Sequence, residues 1–237
     1  MPDQLANEIR ATLAAARSQF EYLTDLGLAE LKVTAPAGAD GQNAEGAIPG
    51  AETLDAVFND LGDCQRCGLG ASRTKLVYGV GNPNARLVLV GEAPGREEDL
   101  QGEPFVGEAG RLLDRILQAM GLHRDDVYLC NVLKCRPPNN RDPQPDEVAT
   151  CEAFLVRQLA ALRPQVIIGL GRFAVHSLLK TNAPISKLRG EWQSYQGIPL
   201  MPTYHPAYLL SNPEAKRDVW DDMKQVLRRL QTDGEGL

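Results

Sequence analysis

Four short apolar segments, separated by turns and helix-like stretches, constrain the fold of this 237-residue chain more than any other feature. They cover residues 87–90, 127–131, 166–169 and 198–204, and the β-branched-rich run at 87–90 is typical of a strand buried on both faces of a parallel sheet. Stretches between them carry apolar residues at helical spacing. Strands that alternate with helices predict an α/β domain with a parallel sheet and helices on both faces.

Composition divides the chain into three parts. Residues 1–51 are predicted to be an N-terminal helix, over 3–31, followed by a flexible linker rich in Gly, Ala and Pro. Residues 52–231 hold the strands and form the main domain, and 232–237 are predicted to be a disordered tail. No apolar run is long enough for a membrane span and no signal peptide is recognisable, so we expect a soluble, cytoplasmic monomer.

The net charge of −6 is unevenly distributed along the chain. Residues 1–63 contain 11 Asp and Glu against 3 Lys and Arg, whereas residues 64–237 contain 20 acidic and 22 basic residues. The main domain is therefore close to neutral. Lys134, Arg136 and Arg141 cluster in one loop, an arrangement that permits contact with phosphate groups.

The five cysteines favour metal binding in a reducing compartment over a disulfide framework. Cys64 and Cys67 form a Cys-x-x-Cys hook, and Cys135 and Cys151 are available as partners. This set can hold zinc or an iron–sulfur cluster, and the spacing does not decide between them. The alternative is a free hook with two buried thiols. Cys130 is predicted to be a small core residue on a strand.

Residues 91–110 break the strand pattern with a turn full of carboxylates. Gly91, Pro94 and Gly95 allow the chain to turn at the carboxyl end of a strand, where open α/β sheets bind ligands. The acidic residues of this turn are Glu92, Glu97, Glu98 and Asp99. Phe105 follows in a loop bounded by Gly and Pro. These features predict either a ligand site or an acidic surface loop with Phe105 in the core.

A second glycine-rich turn resembles a dinucleotide-binding fingerprint only superficially. Gly169, Gly171 and Ala174 follow a strand, and Glu191 lies 20 residues after Gly171. Such fingerprints belong to the first strand–helix unit of a domain, so a simple strand-to-helix turn is the better interpretation.

Three motifs and four cysteines together resemble the family 4 uracil-DNA glycosylases, which carry an iron–sulfur cluster. The motifs are GEAPGREEDLQGEPFVGEAGRLLD, NVLKCRPPNNRDP and HPAYLL, and the resemblance spans residues 53–231. It implies a three-layer α/β/α fold with a four-stranded parallel sheet. It also implies a [4Fe–4S] cluster on Cys64, Cys67, Cys135 and Cys151, and excision of uracil from DNA.

The resemblance assigns a role to each residue of the predicted site. Phe105 would stack on a uracil swung out of the duplex, and Asn131 would read its N3–H and O4. Neutral His205 would donate to O2 as negative charge collects there, with help from backbone N–H groups around Glu92 and Ala93. Leu209, four residues after the histidine, would belong to the loop that wedges into the duplex.

The sequence also departs from better-known uracil glycosylases. Ala93 stands where those enzymes carry an aspartate for the attacking water, so Glu92 and Glu98 are the candidates for that role, with Glu98 favoured. Gly95 stands where they carry a tyrosine that excludes the methyl group of thymine. The segment after Asn131 lacks the histidine with which a related group attaches to DNA, which favours hydrolysis by water.

The competing hypothesis is a non-catalytic DNA-binding or redox-sensing iron–sulfur protein on the same fold. Such a protein would not require the polar set of Asn131, His205 and Glu98.

Overall fold

The computed structural model describes residues 52–232 as an α/β domain built on a six-stranded sheet. The strands are β1 (Val80–Gly81), β2 (Leu87–Gly91), β3 (Tyr128–Asn131), β4 (Val166–Leu170), β5 (Gln193–Tyr195) and β6 (Ile198–Thr203). Their order in the sheet is β1-β3-β2-β4-β6-β5. The four central strands are parallel, which confirms the predicted parallel sheet. β1 and β5 add antiparallel edges that the sequence pattern did not predict.

Eight α-helices surround the sheet in the described part of the chain. They are α1 (Leu54–Leu61), α2 (Arg96–Gln101), α3 (Glu108–Ala119), α4 (Pro145–Leu162), α5 (Gly171–Leu179), α6 (Ile185–Leu188), α7 (Pro206–Ser211) and α8 (Lys216–Thr232). The acidic turn after β2 is thus partly helical, because α2 occupies most of it. None of the helices described between residues 52 and 232 combines the length and the apolarity needed to cross a bilayer.

The central strands are buried on both faces, as their apolar sequences predict. Every residue of β2, β3 and β4 is buried. On one face, Val88 and Val90 of β2 share a core cluster with Leu155 of α4 and Leu178 of α5. Because side chains alternate along a strand, Leu87 and its equivalents point to the opposite face, where α8 packs against β6. Helices therefore cover both faces of the sheet.

The boundaries predicted for the four parallel strands hold to within one residue. Ahead of the final helix, Pro213–Ala215 forms a 3₁₀ turn, and α8 continues to Thr232. The predicted N-terminal helix and linker, residues 1–51, lie outside the described residues. So does the predicted tail, apart from Thr232.

Candidate active site

A cavity of about 520 Å³ opens at the carboxyl edge of the parallel strands. This volume lies in the range of sites that enclose a small molecule, and the position is the one expected for ligand binding in such sheets. The loops after β2, β3 and β6 all contribute to its wall. The predicted site residues that the structure brings together there are Glu92, Ala93, Glu98, Phe105, Asn131 and His205.

Asn131 ends β3 and presents its amide to the cavity beside Phe105. A Cβ atom added to Gly91 would lie 2.4 Å from Oδ1 of Asn131 and 2.6 Å from Cζ of Phe105. Gly91 is therefore needed so that both side chains can approach the end of β2. The buried ammonium of Lys134 donates a hydrogen bond of 2.7 Å to the backbone carbonyl of Asn131, which fixes the end of the strand.

His205 follows β6 and acts as the N-cap of α7. The backbone N–H of Ala207 donates to Nδ1 of His205 at 3.1 Å, so Nδ1 is unprotonated and Nε2 carries the hydrogen of the neutral ring. Burial lowers the pKa of His205 to about 4. The side chain is therefore a neutral hydrogen-bond donor at physiological pH.

The rings of Phe105 and His205 lie next to each other in the wall of the cavity, and Phe105 is 5% exposed. Their ring centroids are 6.0 Å apart and their planes are inclined by 31°. On the far side of His205, a Cβ atom added to Gly171 would lie 2.8 Å from the histidine Cβ. The second glycine of the GLG turn thus lets the histidine loop pass close to α5, which supports a structural explanation of this turn.

The two carboxylates of the site have different surroundings. Glu98 is buried, and its Oε1 accepts hydrogen bonds from the backbone N–H groups of Val106 and Gly107 at 3.1 and 3.0 Å. A Cβ atom added to Gly95 would lie 2.7 Å from Oε2 of Glu98. Glu98 therefore fills space that a side chain at position 95 would need.

The ionised form of Glu92 is poorly stabilised by its surroundings. The pKa of Glu92 is raised to about 7, mainly by burial and also by the nearby charge of Asp142, while the charge of Arg172 opposes the shift. Glu92 is consequently a mixture of the protonated and ionised forms at neutral pH.

Four of the five cysteines converge elsewhere in the domain. Cys135 and Cys151 are buried together, and Cys67 packs against the same cluster. Burial raises the pKa of Cys151, and Cys64 packs against a second cluster formed by Val57, Leu61 and Phe154. Cys130 is a fully buried residue of β3, as predicted. Among residues 52–232, no three His, Cys, Asp or Glu side chains are arranged to share one metal ion.

Two arginines face the thiols. Nη1 of Arg73 lies 3.4 Å from Sγ of Cys135 and 2.6 Å from the carbonyl oxygen of Cys64, and so links the two halves of the cysteine group. Nη1 of Arg66 lies 3.6 Å from Sγ of Cys64. Burial raises the pKa of Cys135 to about 11, and the charge of Arg73 opposes this shift. Cationic donors beside sulfur favour thiolates, which are the form that binds metal centres.

The family model of the uracil DNA glycosylase superfamily matches residues 78–224, a span that includes every residue lining the cavity. The chain belongs to this superfamily. A type-4 uracil-DNA glycosylase of Archaeoglobus fulgidus is 46% identical over 183 residues, covering 74% of this chain and 92% of that enzyme. A type-4 enzyme of Thermotoga maritima is 42% identical and covers 77% of this chain and 97% of its own.

A type-5 uracil-DNA glycosylase of Pyrobaculum aerophilum is less similar, with 33% identity over 65% of this chain and 74% of that enzyme. The predicted resemblance to the family 4 enzymes of the superfamily is therefore confirmed. The α/β fold predicted from it is confirmed as well.

Leu209, predicted as the wedge of this uracil-DNA glycosylase superfamily member, is buried instead. Its side chain is 1% exposed, because Pro206 and Leu209 occupy the inner side of α7, which packs against α3. Tyr208 and Leu210 are 46% and 37% exposed on the same helix. The three-residue spacing of Pro206 and Leu209 is the sequence signal that could have predicted this orientation.

The basic loop after β3, whose charges permit contact with phosphate groups, has one of its three cations in the interior. Lys134 is fully buried. Arg141 forms an ion pair with the buried Glu147, and Arg136 bonds to Asn140 at 2.7 Å. All three cations therefore have structural partners, and only the two arginines remain near the surface.

Proposed function

We propose that this protein is a DNA repair glycosylase that swings uracil out of DNA and hydrolyses its N-glycosidic bond, leaving an abasic site. The observation that carries the proposal is the convergence of Phe105, Asn131 and His205 in one cavity. The names of the type-4 relatives support the same activity. The substrate is uracil-containing DNA, and the protein is proposed to act as a monomer in the cytoplasm.

Recognition of the extruded base is assigned to two side chains. A base must leave the stack before its glycosidic bond can be reached, at a cost of a few kcal/mol. Phe105 offers a ring face on which the flat base can stack. The Asn131 amide can accept from N3–H and donate to O4 of uracil, whereas cytosine presents the opposite pattern on this edge.

Bond cleavage is assigned to stabilisation of the leaving base. The C1′–N1 bond breaks with its electron pair moving to uracil, so negative charge accumulates on O2 and O4 while the sugar becomes positive. Nε2–H of His205 donates to O2, and backbone N–H groups near Glu92 and Ala93 add to this stabilisation. Because the donor is neutral and fixed by Ala207, it needs no reorganisation as charge develops.

The attacking water is assigned to the carboxylates of the cavity. Oε1 of Glu98 is engaged by two N–H groups, which leaves Oε2 to orient a water towards C1′. Glu92 is partly protonated at neutral pH and is a weaker acceptor. The water oxygen bonds to C1′, and the proton that it loses passes to a carboxylate or to solvent.

Glu98 is also proposed to take part in the rejection of thymine. Its carboxylate lies where a side chain at position 95 would begin, the position at which other uracil glycosylases carry a tyrosine. The Glu98 carboxylate narrows the cavity at this point, so the methyl group of thymine would come into close contact with a charged side chain.

The cysteine group is proposed to hold a [4Fe–4S] cluster on Cys64, Cys67, Cys135 and Cys151. The guanidinium groups beside Cys64 and Cys135 fit such a group, which binds thiolates. When bound, the cluster would supply covalent ties between α1, the loop after β3 and α4, and it would take no part in cleavage of the glycosidic bond.

The direct test uses duplex oligonucleotides that contain one uracil, one thymine or one cytosine at the same position. We expect alkali-sensitive sites only in the uracil duplex, and their loss in Asn131→Ala and His205→Ala. Binding of the uracil duplex by wild-type protein without strand cleavage after alkali would instead support the non-catalytic DNA-binding or redox-sensing alternative.

A further inference from the structure

We infer that Arg124 is a positioning residue that holds the backbone of Phe105 in the conformation needed to stack on the base. The inference rests on the proposed role of Phe105. Arg124 lies in the 3₁₀ turn Arg124–Asp126, before β3, and is not among the residues that line the cavity. Any effect of Arg124 on the base must therefore pass through the residues that it contacts.

The Phe105 backbone has an unfavourable conformation. Its φ angle is +56°, in the left-handed region, where a bulky aromatic residue is rare. Such a conformation persists only where the surrounding structure enforces it, and it is found preferentially at ligand sites. The position of the ring in the cavity therefore depends on the contacts of the loop around it.

Arg124 makes those contacts on the carbonyl side of the loop. Nη1 donates to the carbonyl oxygen of Phe105 at 2.9 Å, and Nη2 donates to the carbonyl oxygen of Pro104 at 2.7 Å. Oδ1 of Asp114 accepts from Nη1 at 2.9 Å and orients the guanidinium. Two successive carbonyls are thus held by one planar fork, a geometry that the point charge of lysine cannot reproduce.

The backbone N–H groups of the same loop are bound by a carboxylate. Glu98 accepts from the N–H groups of Val106 and Gly107, the two residues after Phe105. A Cβ atom added to Gly110 would lie 1.8 Å from the carbonyl oxygen of Phe105, so the loop also sits tightly on α3. Arg124 and Glu98 together therefore hold the peptide groups on both sides of Phe105 by hydrogen bonds.

Substitution of Arg124 removes the hydrogen bonds to the two carbonyl oxygens, whereas the hydrogen bonds to Glu98 remain. The Phe105 backbone can then relax from positive φ to the common negative region, and the ring moves with it. A displacement of about 1 Å at a stacking residue can slow a reaction by about 100-fold even when the substituted residue is remote. The loss should appear in the handling of the base, with little effect on the binding of undamaged DNA.

The test is a double-mutant cycle on single-turnover excision from a uracil duplex, with Arg124→Gln, Phe105→Ala and their combination. Arg157→Gln is the matched control, because Arg157 also bridges two acceptors, Glu52 and Asp60, at similar exposure but away from the cavity. We expect Arg124→Gln and Phe105→Ala each to slow excision by about 10- to 100-fold. In the Phe105→Ala background, Arg124→Gln should add less than about twofold.

Two further measurements separate positioning from general destabilisation. Inhibition by free uracil should weaken in Arg124→Gln, whereas affinity for undamaged duplex and the activity of Arg157→Gln should stay at wild type. If Arg124→Gln does not yield folded protein, Arg124→Lys replaces it in the cycle, because it keeps the charge beside Asp114 but cannot bridge both carbonyls. The same non-additivity is expected.

Full additivity with Phe105→Ala would overturn the inference, as would wild-type excision by folded Arg124→Gln. Wild-type excision by Phe105→Ala would reject the stacking role and the inference together. Excision by the unsubstituted protein in the same assay tests the proposed function separately.

Discussion

The backbone N–H of Ala207 donates a 3.1 Å hydrogen bond to Nδ1 of His205. This single contact decides which ring nitrogen carries the hydrogen, and burial keeps the ring neutral by lowering its pKa to about 4. In the proposed mechanism this neutral donor acts mainly on the charge that develops as the base leaves.

Replacement of His205 by alanine should therefore slow the chemical step. A preorganised donor of this kind is worth on the order of 3 to 4 kcal/mol, or about 100- to 1000-fold in rate. Single-turnover excision should fall by that factor, while the affinity for uracil-containing DNA changes little. Near-wild-type chemistry in His205→Ala, together with complete loss in Glu98→Gln, would replace this mechanism by one centred on a carboxylate.

His205 should also make the free energy of unfolding decrease as the pH is lowered. The unfolded chain takes up a proton near pH 6.5, whereas the folded ring resists it until about pH 4. The wild type should therefore lose stability relative to His205→Ala as the pH falls from 6.5 to 4, and the difference should level off below 4. Urea unfolding of both proteins at several pH values measures this difference, and a constant difference would contradict the burial of a neutral ring.

Two substitutions at Glu98 should separate its charge from its volume. Glu98→Gln keeps a carbonyl oxygen for the N–H groups of Val106 and Gly107, so we expect only a modest loss of uracil excision. Glu98→Ala removes that acceptor and the group beside Gly95, so the loss should reach about 10-fold or more. The alanine variant should also begin to excise thymine from G·T mismatches. Continued rejection of thymine by an active Glu98→Ala protein would show that another group excludes the methyl.

The cysteine group makes a prediction that does not depend on excision. Purified protein should be brown and contain iron and sulfide in equal amounts, whereas zinc in colourless protein would disprove the cluster. Arg73→Gln removes the cation that contacts Cys135 and the Cys64 carbonyl. We expect faster loss of visible absorption in air and a lower melting temperature than in the wild type.

The exposed residues of α7 should contact the duplex in place of Leu209. Tyr208→Ala should slow excision from double-stranded DNA more than from single-stranded DNA, because only a duplex needs a side chain to hold it open. Leu209→Ala should instead destabilise the fold by about 2 to 5 kcal/mol, as buried leucines do. Equal effects of Tyr208→Ala on both substrates would remove the proposed wedge role of Tyr208.

The parallel sheet could be predicted because its strands have a sequence pattern that is visible within each short segment. Residues 87–90 and 166–169 are apolar at every position, which only strands buried on both faces require. The edge strands could not be predicted in this way. Val80–Gly81 is two residues long, and two of the three residues of Gln193–Tyr195 are polar, so both strands exist because a neighbouring strand offers them hydrogen bonds.

The sequence by itself determined the α/β fold class, because the strand pattern is local, and its motifs, through their resemblance to the family 4 enzymes, predicted part of the set of side chains that line the cavity. Only the tertiary structure decided which of these side chains are accessible. Leu209 and Lys134 are buried because of packing against distant elements, and Arg124 reaches Phe105 across 19 residues through main-chain carbonyls. Carbonyls are present at every residue, so such a contact leaves no pattern in the sequence, and it arises only when the fold brings the two segments together.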